Sequence, residues 1–324
     1  MKNVAVIGSG NLGRRHLEAL LKLEQPLNLH AVDNFAESLR LANEVNNLYN
    51  PEGKHSFYVT ENISALPGEL DFVIVATNAT DRRKITEILL KQNNVRYMLL
   101  EKVLFQKIND YDDVESLINN SSTKVWVNCN MQTVPFYSDI KKMMCEKSGF
   151  HFSVSGGKWN LGCSAIHYLS LIAFLRGASD DFFIDGSGLE KGYTEAARKG
   201  FIEFGGMISG TAPRCVSFSI SCNNNWYSPI IVNIQNKEIA VSIFENGSAY
   251  ISSYEKNWEI EEIKFRIPYQ SELTGNLFEE LMATGNCGLP AFHDSSKLHK
   301  KLIEVFLKHL NKHTETETDT CTIT

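Results

Sequence analysis

Val4 to Ile7 is a short apolar run that meets Gly8-Ser9-Gly10-Asn11-Leu12-Gly13 and passes at once into a helical pattern through Leu17, Leu20 and Leu21. No other feature constrains the fold as tightly. In a strand, turn and helix with this spacing, Gly8 permits the tight turn and Gly10 lets backbone amides approach a ligand without a Cβ in the way. Gly13 permits close helix-to-strand packing. Amides at the start of the helix attract an anionic group such as a pyrophosphate. Asp33 ends the next apolar run, Leu29 to Val32, at the distance beyond Gly13 where a carboxylate accepts hydrogen bonds from ribose hydroxyls. Together these read as a dinucleotide site built from Gly8, Ser9, Gly10, Asn11, Leu12, Gly13 and Asp33. The Asp33 charge repels a 2′-phosphate, and Asn34 stands where an arginine would receive one, so NAD is expected rather than NADP. The competing reading gives Asp33 only the capping of the next helix.

The same grammar continues. Phe72 to Ala76 precedes a helical pattern from about Asp81 to Lys91, Tyr97 to Leu100 precedes another near Tyr111 to Asn119, and Val125 to Val127 adds a further run. Apolar runs without polar alternation, separated by crossover helices, describe strands covered on both faces. The expected fold class is α/β, with a doubly wound parallel sheet of Rossmann type over residues 1–125.

Beyond that point the pattern changes. Helical stretches near Phe136 to Glu146 and Ser164 to Leu175 give way to period-2 segments: Val216, Phe218, Ile220; Ile230, Val232, Ile234; Ile239, Val241, Ile243; and Ile263, Phe265, Ile267. Asn246-Gly247 lies between two of them as a hairpin turn. A helix over about Ser296 to Leu310 follows. Residues 126–310 are therefore expected to form an α+β substrate-binding and oligomerisation domain with a large, mainly antiparallel open sheet. The Thr- and acid-rich residues 311–324 read as a disordered tail.

Composition removes several classes. With 43% hydrophobic and 22% charged residues the chain is globular, and a net charge of -6 offers no general attraction to nucleic acid or an anionic membrane. Seven cysteines without a Cys-x-x-Cys pair signal neither a metal site nor a disulfide framework. No stretch is long and apolar enough to span a membrane, so a cytoplasmic protein is expected.

Two further places carry candidate chemistry. Thr77 and Asn78 follow the Phe72 strand at its carboxyl end, where ligands bind in open α/β sheets, and either contact the cofactor or belong to a loop whose Thr80 caps the next helix. Glu101-Lys102 ends the Tyr97 strand at the same edge. A lysine beside a positively charged nicotinamide has its ammonium form disfavoured, which suits a general acid or base; a surface ion pair is the competing reading.

The glycine turn with its His16, the Thr77 loop, Glu101-Lys102 and His167 together resemble the glucose-fructose oxidoreductase, inositol dehydrogenase and MocA family (Gfo/Idh/MocA). Val103 stands where that family usually has proline, and Cys163 where it commonly has an aspartate, four residues before His167. The resemblance implies Lys102 at the reacting hydroxyl or carbonyl, His167 as proton shuttle or substrate ligand, and Glu101, Lys102, Thr77 and Asn78 beside the cofactor. It implies Trp159, Cys163 and His167 on the substrate side, with Trp159 either on a sugar face or in the core, and an active cleft between the domains. The function so implied is NAD-dependent transfer of a hydride between nicotinamide and a secondary hydroxyl or ketone carbon of a sugar or nucleotide-sugar, as in surface-polysaccharide pathways. A homodimer or homotetramer is implied as well. Two alternatives are a noncatalytic NAD- or sugar-sensing regulator on the same fold and a reductase of a nonsugar substrate.

Overall fold

The computed structural model describes residues 1–144, 148–245 and 247–324. The first alternation forms β1 (Lys2–Ile7), α1 (Asn11–Leu21), β2 (Leu27–Val32), α2 (Ala36–Tyr49), β3 (Ser56–Thr60), β4 (Glu69–Val75), α3 (Ala79–Gln92), β5 (Asn94–Leu100), α4 (Ile108–Asn119) and β6 (Lys124–Val127). Their sheet has the order β3-β2-β1-β4-β5-β6, and every pairing is parallel. This is the doubly wound order, which brings the carboxyl ends of β1 and β4 side by side where the winding reverses. The last four residues of β1, β4 and β5 are all buried, as unalternating apolar runs require. β3 left no such run because it is an edge strand with Tyr58 and Val59 exposed.

The rest of the chain forms α5 (Pro135–Met143), β7 (His151–Gly157), α6 (Leu161–Arg176), β8 (Phe183–Asp185), β9 (Thr194–Glu195), β10 (Ile202–Glu203), β11 (Gly206–Ala212), β12 (Val216–Asn223), β13 (Ser228–Gln235), β14 (Ile239–Phe244), β15 (Ser248–Ser253), β16 (Glu261–Lys264), α7 (Gln270–Thr284) and α8 (Phe292–His313). Eight of these strands make one sheet, β16-β15-β14-β13-β7-β12-β11-β8, antiparallel except where β7 runs beside β12. Period-2 burial holds: Phe152, Val154, Phe218, Ile220, Val232 and Ile234 are buried, while Ser153, Ser217, Ser219 and Asn233 between them are half-buried or exposed. The run ending in Ile267 is a strand only as far as Lys264; Phe265 instead stacks on Phe136, with ring centroids 4.5 Å apart. Residues 145 and 146 of the expected first helix, and Asn246 of the expected turn, lie outside the described residues.

The chain divides into two compact units that are not consecutive in sequence. The first contains Met1–Phe105, Asn109–Asn128 and Pro268–Phe292, and the second Gln106–Ile108, Cys129–Ile267 and His293–Thr324. A division at residue 125 does not anticipate the return of α7. That helix buries Phe278 and Leu281 in the same cluster as Leu17 and Leu20 of α1. Gly275 makes the approach close: a Cβ there would lie 3.3 Å from the Ala19 carbonyl oxygen.

Residues 314–324 correct the expectation of a disordered tail. Cys321 and Ile323 are fully buried in the second unit, the Cys321 amide donates to the Gln106 carbonyl (2.9 Å), and the Ile202 amide donates to that of Thr322 (3.0 Å). The physical reason is the apolar alternation of Thr320-Cys321-Thr322-Ile323, which supplies one buried face to an otherwise polar segment. Among the described residues, no helix is long and apolar enough to cross a membrane.

Candidate functional site

Backbone geometry at the carboxyl end of β1 explains the three glycines. Gly8 has φ +91°, and a Cβ there would meet the Thr77 amide nitrogen at 2.8 Å. At Gly13 a Cβ would fall 1.8 Å from the Gly8 carbonyl oxygen, so the helix could not approach the strand. Gly10 differs, having nothing within 4 Å of a Cβ position. The space above it is the cradle that a side chain would fill. Gly10 is also the N-cap of α1 and supplies no side-chain cap, so the first amides of the helix look onto that space.

Asp33 stands beside the turn. Its Oδ2 accepts the Ser9 amide (2.7 Å) and its Oδ1 the Phe35 amide (2.9 Å), so the carboxylate is oriented by both the glycine turn and the approach to α2. The Phe35 amide belongs to the N-cap residue of α2, and that helix has no side-chain cap, so Asp33 does not cap it. Thr77 and Asn78 lie across the turn, and α3 starts at Ala79 with Asn78, not Thr80, at its N-cap. The Thr77 Oγ1 and Asn78 Oδ1 atoms are buried without a hydrogen-bond partner. Buried polar atoms in that condition are costly unless a ligand satisfies them. An open cradle at Gly10, an oriented carboxylate and two orphaned acceptors fit a dinucleotide.

Glu101 occupies a different environment from the one expected at the cofactor. Its side chain is 3% exposed, and Oε1 accepts His16 Nε2 at 3.0 Å and Asn128 Nδ2 at 2.5 Å. His16 Nδ1 lies 2.8 Å from the Thr274 hydroxyl, which also receives Gln270 Nε2 (2.9 Å), and Asn128 Nδ2 donates to Gln270 Oε1 (2.9 Å). Burial pushes the Glu101 carboxyl up, but hydrogen bonding and charge from His16, the Asn128 amide and the Arg82 charge together hold it below the usual glutamate value. Glu101 thus anchors the edge of the sheet, and half-buried Lys102 is the next residue. Arg82 of α3, 1% exposed, donates to the carbonyls of Thr77, Val103 and Leu104, the last at 3.2 Å.

In the second unit, Cys163 and His167 lie one turn apart on α6, both half-buried. A carboxylate does stand at the start of this helix, although not at position 163. Glu203, buried on β10, accepts the amides of Gly162 (2.7 Å) and Cys163 (3.3 Å). Trp159, read as either a sugar platform or a core side chain, has core packing: the residue is 9% exposed, its ring packs edge-on to Tyr168 at 5.5 Å, and its Nε1 donates to the Ser221 carbonyl (3.1 Å). Little of its face remains for a sugar. The Tyr168 hydroxyl donates to Glu245 Oε1 (2.7 Å), and burial raises the Glu245 carboxyl, with the Tyr168 hydrogen bond opposing only part of the shift.

Sequence reasoning singled out Asp33, Thr77, Asn78, Lys102 and His167 as candidates and did not single out Asn128, Thr274, Gln270, Arg82 or Glu203, whose hydrogen bonds organise these segments. Position at a strand end was the available signal for Asn128, which directly follows the Val125 run. Among the described residues no group of three His, Cys, Asp or Glu side chains is arranged to hold a metal ion.

Residues 2–129 match the family described as Oxidoreductase family, NAD-binding Rossmann fold (GFO_IDH_MocA). No curated protein matches the chain by sequence. Among solved structures, it is similar to UDP-N-acetylglucosamine 3-dehydrogenase GnnA from Acidithiobacillus ferrooxidans, with 14% identity, TM-score 0.70 and coverage of 94% of this chain and 96% of that one. An oxidoreductase from Agrobacterium radiobacter, in complex with NAD+, L-tartaric acid and magnesium, has 12% identity, TM-score 0.71 and 97% coverage of both chains. The transcriptional regulator Gal80p from Kluyveromyces lactis has 14% identity and TM-score 0.70, covering 99% of this chain and 95% of that one. At these identities the likeness is one of fold.

Proposed function

From a first unit with the NAD-binding fold of the Gfo/Idh/MocA oxidoreductases, we propose that the protein is an NAD-dependent oxidoreductase acting on a secondary hydroxyl or ketone carbon of a sugar or nucleotide-sugar. The observation that carries the reading is the open space at Gly10 together with two orphaned acceptors on the Thr77 loop that follows β4, the strand beside the one that ends in Glu101-Lys102. Bound NAD supplies the redox chemistry by taking or giving a hydride.

The chain's own residues orient the cofactor and move the proton. The amides at the start of α1 hold the pyrophosphate, Asp33 accepts the adenosine ribose hydroxyls, and the Thr77 and Asn78 side chains hold the cofactor from the β4 side. Lys102 Nζ polarises the substrate oxygen and exchanges a proton with it, and His167 assists as proton shuttle or substrate ligand. The NAD-over-NADP preference rests on Asp33, whose charge faces any 2′-phosphate.

Assays following nicotinamide absorbance across sugars, sugar nucleotides and polyols test the activity. Lys102→Met is expected to lower turnover by about 10²-fold or more while NAD binding persists; an active variant sinks the role of Lys102. Asp33→Ala is expected to narrow the NAD preference by about tenfold, read as the ratio of NAD and NADP dissociation constants. The likeness to UDP-N-acetylglucosamine 3-dehydrogenase supports the sugar substrate.

A second reading has its own support. Cys163 in place of a helix aspartate and the likeness to Gal80p favour a noncatalytic NAD- or sugar-responsive regulator. NAD binding without turnover across the whole panel selects this reading.

A further inference from the structure

Lys102 is bracketed. Before it, Glu101 is fixed by His16 and Asn128; after it, the Val103 and Leu104 carbonyls are held by Arg82. Arg82 Nη1 serves those two carbonyls, whereas Nη2 serves the carbonyl of Thr77, the residue whose Oγ1 is orphaned in the cofactor loop. A guanidinium is a rigid planar fork, so its two ends cannot move independently. Burying one is unfavourable unless its charge meets hydrogen-bond acceptors in fixed geometry, and here backbone carbonyls from two different segments meet Nη1 and Nη2.

We propose that Arg82 is a positioning residue that couples the Thr77 loop to Lys102, so that one buried side chain sets both the cofactor contact and the proton-transferring amine. This rests on the reading of Lys102 as meeting the nicotinamide end of the cofactor. A lysine in place of Arg82 has a single charged centre and cannot hold both segments at once. Loosening the coupling moves Lys102 relative to the cofactor without removing either partner.

The test needs no substrate. The full-length protein is titrated with NAD+ and with NADH, and the ratio of the two dissociation constants is taken. A general loosening of the site weakens both and cancels in the ratio, but the distance between the Lys102 ammonium and the cationic nicotinamide does not cancel. Lys102→Met is expected to improve NAD+ binding relative to NADH by about threefold or more, because it removes a like charge. Arg82→Lys is expected to shift the ratio in the same direction by about twofold or more, and the double variant to match Lys102→Met alone, since coupled residues are non-additive.

An unchanged ratio in Lys102→Met overturns the placement of Lys102 and the role of Arg82 with it. A shifted ratio in Lys102→Met, combined with an unshifted ratio in folded Arg82→Lys or with additive effects, overturns Arg82 alone. Should Arg82→Lys not fold, amide exchange in the wild-type chain decides: NADH is expected to slow exchange at Val103 and Leu104, and unchanged exchange there overturns the coupling.

Discussion

Two glutamates, one buried in the first unit and one half-buried in the second, meet opposite fates. Glu101 lies under the sheet edge with His16, Asn128 and Arg82 around it, and its carboxyl is held below the ordinary value despite burial. Glu245 has a tyrosine hydroxyl for a partner and no cation among the groups that shift it, so burial prevails and its carboxyl is raised. The residue type is the same. What differs is whether the chain delivers a cation or dipoles able to replace water around the charged form. The first arrangement keeps an anion as a fixed structural anchor; the second favours a proton on the group.

The largest expected effect separates the two sites by mutation. Glu101→Gln removes the carboxylate that accepts from His16 and Asn128 in a dry site and is expected to destabilise the protein by about 2–3 kcal/mol, the upper range for hydrogen bonds to a charged group. Calorimetric unfolding measures it, and a loss under about 1 kcal/mol would show that the comparison is overstated. Thr274→Val tests the outer part of the same anchor: it removes the hydroxyl between His16 and Gln270 and is expected to cost about 1–2 kcal/mol. A cost in the range of a neutral surface change would mean that Thr274 holds nothing.

The smallest effect is the most diagnostic in sign. The Glu101 contribution is present above the ordinary glutamate value and lost as pH falls through its depressed folded pKa. The Glu245 contribution is present below the ordinary value and lost as pH rises through its raised folded pKa. Glu245→Gln is therefore expected to change stability by under about 1 kcal/mol in acid and to flatten the fall between mildly acidic and neutral pH. Unfolding temperature against pH for both proteins reads this directly, and parallel curves would remove Glu245 from the account.

The legibility of the sequence follows the same division. The first unit announces itself because its signals are local: Gly8, Gly10 and Gly13 act within one turn, and the strand ends at Asp33, Thr77 and Lys102 are fixed by the runs before them. The anchor of Glu101 was hidden because its partners are far along the chain. His16 is 85 residues from Glu101, and Thr274 is 258 residues from His16. Neither propensity nor periodicity contains such pairings. In the second unit, period-2 runs identified β12, β13 and β14, whereas β7 was missed although Phe152 and Val154 alternate with serines. Its two glycines at the strand end and its place between two helices masked it. Trp159 shows the remaining gap: residue type allowed both a sugar platform and a core side chain, and its packing against Tyr168 appears only in the fold.

The return of α7 has a consequence for how the protein is made. On the ribosome, β1 to β6 emerge early, yet Gln270 and Thr274 are translated only after the long Cys129–Ile267 segment of the second unit. The nascent first unit must wait with an unsealed face over Leu17 and Leu20 and with His16 lacking its hydroxyl partner. Vectorial folding from the N-terminus is thus interrupted by design of the chain order, and the early intermediate is the species a chaperone would find exposed.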